Sequence, residues 1–272
     1  MGRLSGQTTG LGAWGCEKVM ISVVTITFNN ADELWVTLAS LALAKNVESV
    51  VVNGGAPISD LGAAPFQPRV VIEEKDHGIS DAFNKGWRAS HGAAVAYLNS
   101  GDRLLDTSYY ARAEAVLQSD PSIGFVYADL RFLDRATGAF RMVPRGRGFE
   151  DLGKGMPFPH PTMVVRREIF DKIGGFSESY RIAMDFEFAV RLLKAGYRGH
   201  YLPGEVVEMD GGGVSSIREG AGIEECRKAL NTHGCFEGRI KRDYMMRVLR
   251  HRIRRFLRTV FGDALLAALK RI

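Results

Sequence analysis

Four short apolar runs end in polar turns whose residues could do chemistry: Thr27-Phe28-Asn29-Asn30, Asn53-Gly54-Gly55, Asp76-His77-Gly78 and Asn99-Ser100-Gly101-Asp102. In an open α/β sheet, ligands bind at the carboxyl ends of the strands, so amides and carboxylates gathered there suit a polar ligand. One Asp on one turn is equally well a turn former or helix cap. A series of polar strand ends in order argues for a site. Asp81 and Lys85 stand one helical turn apart, either as a phosphate-reaching lysine with its partner or as a plain surface pair. Asp185 opens an apolar-periodic segment, a place where the helix dipole also favours an acid. His160, between Pro159 and Pro161, is a lone imidazole and reads first as structural.

The elements that must position these residues follow from period and punctuation. Ile21 to Phe28, Val47 to Val52, Arg69 to Glu73 and Val95 to Leu98 read as buried strands, and Glu33 to Ala44 and Ile79 to Ser90 as helices. This β–α alternation predicts a parallel sheet with helices on both faces. Next come a helix over Thr107 to Leu117, a strand over Ile123 to Asp129 with Asp129 at its end, and a strand pair within Arg131 to Phe140. Arg141 to Gly155 reads as a Gly/Arg-rich loop, either solvated or able to close over an anionic ligand. A strand over Met163 to Arg166, a short helix over Glu168 to Ile173 and the turn Gly174-Gly175-Phe176 follow. A helix reaches from Ala183 to about Lys194, Tyr197 to Leu202 is a late strand, and Asp210 to Ser216 is a glycine-rich turn.

Composition narrows the class. A chain of 272 residues, 46% hydrophobic and 25% charged, is long enough for one large domain with an appendage. Cys16, Cys226 and Cys235 form no disulfide framework, and the nine-residue step from Cys226 to Cys235 with His233 between matches no common zinc spacing. No apolar run approaches the roughly 20 residues of a membrane-spanning helix. Residues 1–19 lack the apolar core of a signal peptide and read as a tail or a misassigned start before Met20, so a cytoplasmic location is expected. The first strand is followed by Asn29-Asn30-Ala31-Asp32, without the glycines a dinucleotide fold needs, and no phosphate loop ending in Gly-Lys-Ser/Thr occurs. From Lys241 onward ten basic residues face two acids, a segment of +8 in a chain of +5, which leaves −3 for residues 1–240. Nucleic-acid binding would want a cationic body, which this chain lacks.

The ordered set Asp76-His77-Gly78-Ile79-Ser80-Asp81-Ala82-Phe83-Asn84-Lys85-Gly86, Leu98-Asn99-Ser100-Gly101-Asp102 and Ile173-Gly174-Gly175-Phe176 with Ala183-Met184-Asp185-Phe186-Glu187 resembles the family-2 inverting glycosyltransferases of the GT-A fold. It looks closest to their bacterial exopolysaccharide and colanic-acid-type branch. The resemblance covers about residues 20–216. It implies a Rossmann-like nucleotide-sugar half (20–102), an acceptor half (103–216) and a helical C-terminal region (217–272). It also implies transfer of a sugar from a nucleoside-diphosphate sugar to a glycan or polyprenyl-linked acceptor. Mg²⁺ or Mn²⁺ would offset the charge of the departing diphosphate. By this resemblance Asp102 is the metal residue and Asp185 the base. Thr27, Asn29, Asn53, Asp76, Asp81, Lys85 and Asn99 would serve the nucleotide sugar, and His160 would lie toward the acceptor or diphosphate. The chain departs from the family pattern at Asn99, where the first acid of the Asp-x-Asp-type motif is usual, and at Asn53, where Asp is common. A non-catalytic nucleotide-sugar-binding or scaffolding protein is therefore the alternative.

In the C-terminal tail, Met245, Leu249, Ile253, Phe256, Leu257, Val260, Phe261, Ala264 and Leu265 recur at three- and four-residue steps among arginines. This predicts a basic amphipathic helix, or two broken near Gly262. Residues 240–272 would lie on an anionic membrane surface, peripheral on its inner face. A helix packing its apolar stripe on the domain or on a partner is the other reading.

Overall fold

The computed structural model describes residues 21–59, 61–133, 140–142, 148–211 and 218–269. The expected N-terminal tail, Cys16, the tip of the 131–140 strand pair, most of the 141–147 loop, the turn 212–216 and residues 270–272 lie outside them. Strands β1 (Ile21–Thr27), β2 (Val47–Asn53), β3 (Val70–Glu73) and β4 (Ala94–Tyr97) are parallel, in the spatial order β3-β2-β1-β4. Helix α1 (Ala31–Leu41) joins β1 to β2, and α2 (Ile79–Ala89) joins β3 to β4. Side chains alternate between the two faces of a strand. Val24, Val95 and Tyr97 accordingly pack with Phe83 of α2 on one face. Ile21, Val23, Ala96 and Leu98 pack on the other with Tyr109, Ala113 and Leu117 of α3 (Tyr109–Ser119). Burial on both faces is why these strands read as nearly continuous apolar runs.

Beyond β4 the sheet changes direction. β8 (Val164–Arg166) pairs antiparallel with β4 and with β6 (Ile123–Leu133), β6 runs parallel to β9 (Arg198–Asp210), and β5 (Arg103–Leu104) closes the edge on β9. β7 (Phe140–Met142) returns along β6 as the expected hairpin partner. In the second half the structure departs from the sequence expectation at Asp129, at the end of the late strand and in the loop before Gly155, as well as in adding β5. Asp129 does not end its strand; it lies within β6, where its carboxylate accepts from Tyr201 Oη at 2.7 Å and Gly204 N at 3.1 Å. The late strand continues eight residues past Leu202, to Asp210. Phe149–Lys154, inside the expected loop, winds into 3-10 turns.

Helices α4 (Arg167–Ile173), α5 (Met184–Lys194), α6 (Glu219–Thr232) and α7 (Gly238–Leu269) complete the fold. α7 runs through Gly262 without a break. Its Ile240 and Tyr244 are buried, and Tyr244 Oη donates to Ile223 O of α6 at 3.3 Å. Gly153 lets the 3-10 turn approach α7, since a Cβ there would sit 2.1 Å from Ile240 O. Met245, Leu249, Ile253, Phe256 and Val260 are exposed, and at 3.6 residues per turn they form one stripe facing away from Ile240 and Tyr244. No helix among the described residues is long and apolar enough to cross a membrane.

Candidate active site

A cavity of about 610 Å³ opens where β1 and β4 end and is lined by Thr27, Asp76, Asn99, Asp102, His160 and Asp185 among others. Parallel pairing brings the first strand ends together; the far wall comes from β9 and the loop before α5. Six residues singled out in the sequence therefore meet in one space.

The wall at the end of β4 is a tight turn. Asp102 N donates to Asn99 O at 2.9 Å, and Asn99 N returns a bond to Asp102 Oδ2 at 3.1 Å. Buried Thr37 of α1 ties the turn down, accepting from Gly101 N at 3.0 Å and donating to Asp102 O at 2.8 Å. Asp102 is only 4% exposed. Burial, with the charges of Asp210 and Glu33 added, lifts its carboxyl to about 7 against the opposing amide bonds from Asn99 and Asp210. Asn99 Oδ1 is buried with no hydrogen-bond partner among the described residues, so it remains an acceptor available to a ligand.

The opposite wall rests on the Gly174-Gly175-Phe176 turn. Asn84 of α2 grips that turn through Nδ2 to Phe176 O and Phe176 N to Oδ1, both 2.8 Å. Gly175 makes room: a Cβ there would lie 2.2 Å from Asn84 Oδ1. Arg191 of α5 donates to Gly174 O at 3.1 Å and Gly175 O at 2.6 Å while pairing with buried Glu187 at 2.8 Å. Asp185 stands in the first turn of α5 and accepts from Phe186 N at 2.7 Å. Burial raises its carboxyl to about 6, the charge of Glu225 adding to this and amide bonds opposing it. A carboxylate so placed is mostly ionised at neutral pH yet basic enough to take a proton. His160 packs flat on Tyr97, ring centroids 5.4 Å apart, and burial pushes it down to about 4, so it is neutral.

The remaining sequence-selected residues build the cavity's rim without lining it. Asn29 Oδ1 accepts from Ala56 N at 2.8 Å. Buried Asn53 donates to Ala56 O at 2.7 Å and to Glu73 Oε1 at 3.2 Å, and accepts from Gly55 N at 3.0 Å. Asp81 accepts from His77 N at 2.9 Å, and Lys85 reaches Lys75 O at 2.8 Å, Glu74 at 3.0 Å and Asp81 at 3.3 Å. These bonds hold the loop that carries Asp76. Gly54 lets that loop close, because a Cβ there would sit 1.7 Å from Asp76 Oδ2.

Sequence reasoning missed Phe28, Glu33, Arg181 and Asp210, all of which line the cavity. Glu33 carried a legible signal: Asn30 and Glu33 have capping-box spacing, and Asn30 Nδ2 donates to the Glu33 carboxylate. Asp210 carried none, since its place depends on β9 pairing with β6 and β5.

A profile described as "Glycosyl transferase family 2" matches residues 22–174, and one described as "Glycosyl transferase family group 2" matches residues 123–271. The chain is 28% identical over 183 residues to a PGL/p-HBAD biosynthesis glycosyltransferase of Mycobacterium tuberculosis, covering 63% of this chain and 69% of that one. It is 26% identical over 163 residues to an O-antigen biosynthesis protein of Myxococcus xanthus, covering 59% of this chain and 12% of that one. In structure it is similar to S. aureus TarS 1–349 in complex with UDP-GlcNAc (TM-score 0.64, 16% identity, 85% of this chain and 72% of that one). It is also similar to a mannosyltransferase from Pyrobaculum calidifontis in complex with GDP-Man and Mn²⁺ (TM-score 0.60, 18% identity, 94% of this chain and 81% of that one). These likenesses give the fold, a GT-A-type mixed sheet. Both profiles span more than half of the chain and give the family: the chain belongs to glycosyl transferase family 2.

Proposed function

We propose that this chain moves a sugar, with inversion, from a nucleoside-diphosphate sugar to a glycan or polyprenyl-linked acceptor in cell-surface polysaccharide synthesis. The observation that carries the reading is one cavity lined by both Asp102 of the nucleotide half and Asp185 of the acceptor half. Asp185 takes the proton of the acceptor hydroxyl as that oxygen attacks the anomeric carbon on the face opposite the leaving group. The bond to the diphosphate breaks as the new one forms, so an α-linked donor gives a β-type linkage. Thr27 and Asp76 sit at the strand ends that would receive the nucleoside.

The residue chemistry suits a hard divalent cation: Asp102, Asp210, Glu33 and Asn99 all line the cavity, the charges of Asp210 and Glu33 act on Asp102, and each offers oxygen. Among the described residues, no group of three or more His, Cys, Asp or Glu is arranged to hold a metal by itself. We assign Asp102 and Asn99 as the residues toward Mg²⁺ or Mn²⁺, with Asp210 adding the charge that Asn99 lacks; phosphate oxygens of the donor would complete the shell. When bound, the ion offsets the charge of the departing diphosphate. The stripe of α7, flanked by exposed Arg250 and Arg252, supports docking to an anionic membrane surface from the cytoplasmic side.

Calorimetric titration with UDP, GDP and dTDP, each with Mn²⁺ and with EDTA, tests the reading. Binding of one nucleotide with Mn²⁺ and its loss in EDTA is expected; no binding of any would favour the scaffold alternative. For α7, Phe256→Asp should release the protein from vesicles containing phosphatidylglycerol, and undiminished co-sedimentation would refute the membrane role.

A further inference from the structure

We propose that Glu225 is a positioning residue for Asp185: from α6 its carboxylate gathers the backbone amides of Arg181, Ile182 and Ala183 and so sets the first turn of α5. The three N–H groups lie 3.0, 2.8 and 2.8 Å from its oxygens. These amides lead into α5 and end at its N-cap residue, Ala183, where no side-chain cap bond forms; the helix-start amides of Asp185 and Phe186 are met by the Asp185 carboxylate itself. A carboxylate from another helix thus holds the backbone directly before α5, which couples the placement of Asp185 to α6. The grip extends one step upstream: Lys228 Nζ donates to Ser179 O at 2.9 Å and lies 4.6 Å from the centre of the Tyr180 ring. The same clamp fixes the backbone from which Arg181 enters the cavity.

Glu225 acts by charge as well as by reach. Burial works to raise its carboxyl, but the bonds from Ala183, Arg181 and Ile182, with Lys228 nearby, outweigh this and hold it below the usual carboxylate value. It therefore stays ionised and lends its charge to the raised carboxyl of Asp185. The other groups around Asp185 offer no equivalent. Cys226 of α6 is partnered by Arg247 of α7, and Asp151 and Lys154 on the neighbouring 3-10 turn pair with each other at 2.7 Å. Glu33, Asp76, Asp102, His160, Arg181 and Asp210 line the rest of the cavity.

This inference rests on Asp185 as the base, and the test separates the two. In the full chain, the Asp185 carboxyl is titrated by ¹³C NMR, its signal assigned by its absence from Asp185→Asn. Amide exchange is followed at residues 181–183. In Glu225→Gln, Asp185 should titrate at lower pH than in the wild type, and the three amides should exchange about tenfold faster or more. Glu225→Asp, which keeps the charge but shortens the reach, should leave the titration near wild type while exchange still rises; it carries the test if the Gln variant fails to fold. Where UDP-GlcNAc or GDP-mannose is consumed, kcat should fall in Glu225→Gln with the donor KM unchanged. An unmoved titration with unmoved exchange overturns the positioning role. Turnover surviving in Asp185→Asn would instead sink the base assignment, and the clamp would still be judged by the titration and exchange.

Discussion

Two of the carboxylates that line the cavity, Asp102 and Asp185, are held in opposite ways. Asp102 is fixed by its own turn, through Asn99 three residues away and Thr37 beneath it. Asp185 is fixed from afar: Asn84 of α2 grips the turn upstream of it, and Glu225 of α6 holds the residues directly before its helix. Both end with raised proton affinity because the protein around them strips water from each, Asp102 buried and Asp185 half-buried, but their neighbours differ. Asp102 is crowded by Asp210 and Glu33, a surplus of negative charge that a cation would relieve, whereas Asp185 has the single charge of Glu225 beside it. Two acids in one cavity can thus serve different chemistry because their surroundings differ.

Substitution should split the pair most sharply. Asp185→Asn should lower turnover by at least about a hundredfold, the usual worth of a general base, while calorimetry finds nucleotide binding kept. Asp102→Asn should do the reverse first, weakening Mn²⁺-dependent nucleotide binding by about tenfold or more through loss of a charged contact. If the two variants behaved alike, the division of labour would be wrong.

Changing pH should produce a smaller effect that still separates the two. Both carboxyls are raised on folding, so the stability each contributes is fully present below the ordinary value of 3.8 and is lost as pH rises through about 7 for Asp102 and about 6 for Asp185. The melting temperature of the metal-free protein should therefore fall from pH 5 to pH 8. For Asp102 the full swing is on the order of 4 kcal/mol, and Asp102→Asn should flatten the slope. Turnover should instead rise with pH through about 6, as Asp185 loses its proton. A melting temperature that climbs over this range would show that the two carboxyls are not what the geometry makes them.

How much of this was legible in the sequence follows the same divide. The four parallel strands, their helices and the turn bearing Asp102 lie in short local patterns, because an apolar strand that ends in turn residues announces both its own end and the sheet edge it feeds. Glu33 was legible too, through its spacing from Asn30. The reach of β9 to Asp210 was not, since Arg198–Asp210 is carried along by its pairing with β6 and not by its own alternation. The rim roles of Asn53 and Lys85 were equally hidden, because residue type tells that a polar side chain can bond, not which backbone groups will surround it.

By itself, then, the sequence determined the α/β alternation, the polar strand ends, the Gly174-Gly175-Phe176 turn ahead of Asp185 and the basic amphipathic character of the last helix, all of which are periodicities or local backbone preferences. Only the tertiary structure decided that Asp102 and Asp185 share a cavity, that Asp210 and Glu33 stand beside Asp102, and that Glu225 holds the start of α5. Each of these joins residues from separate elements, and burial and charge at such meeting points exist only once the chain has folded.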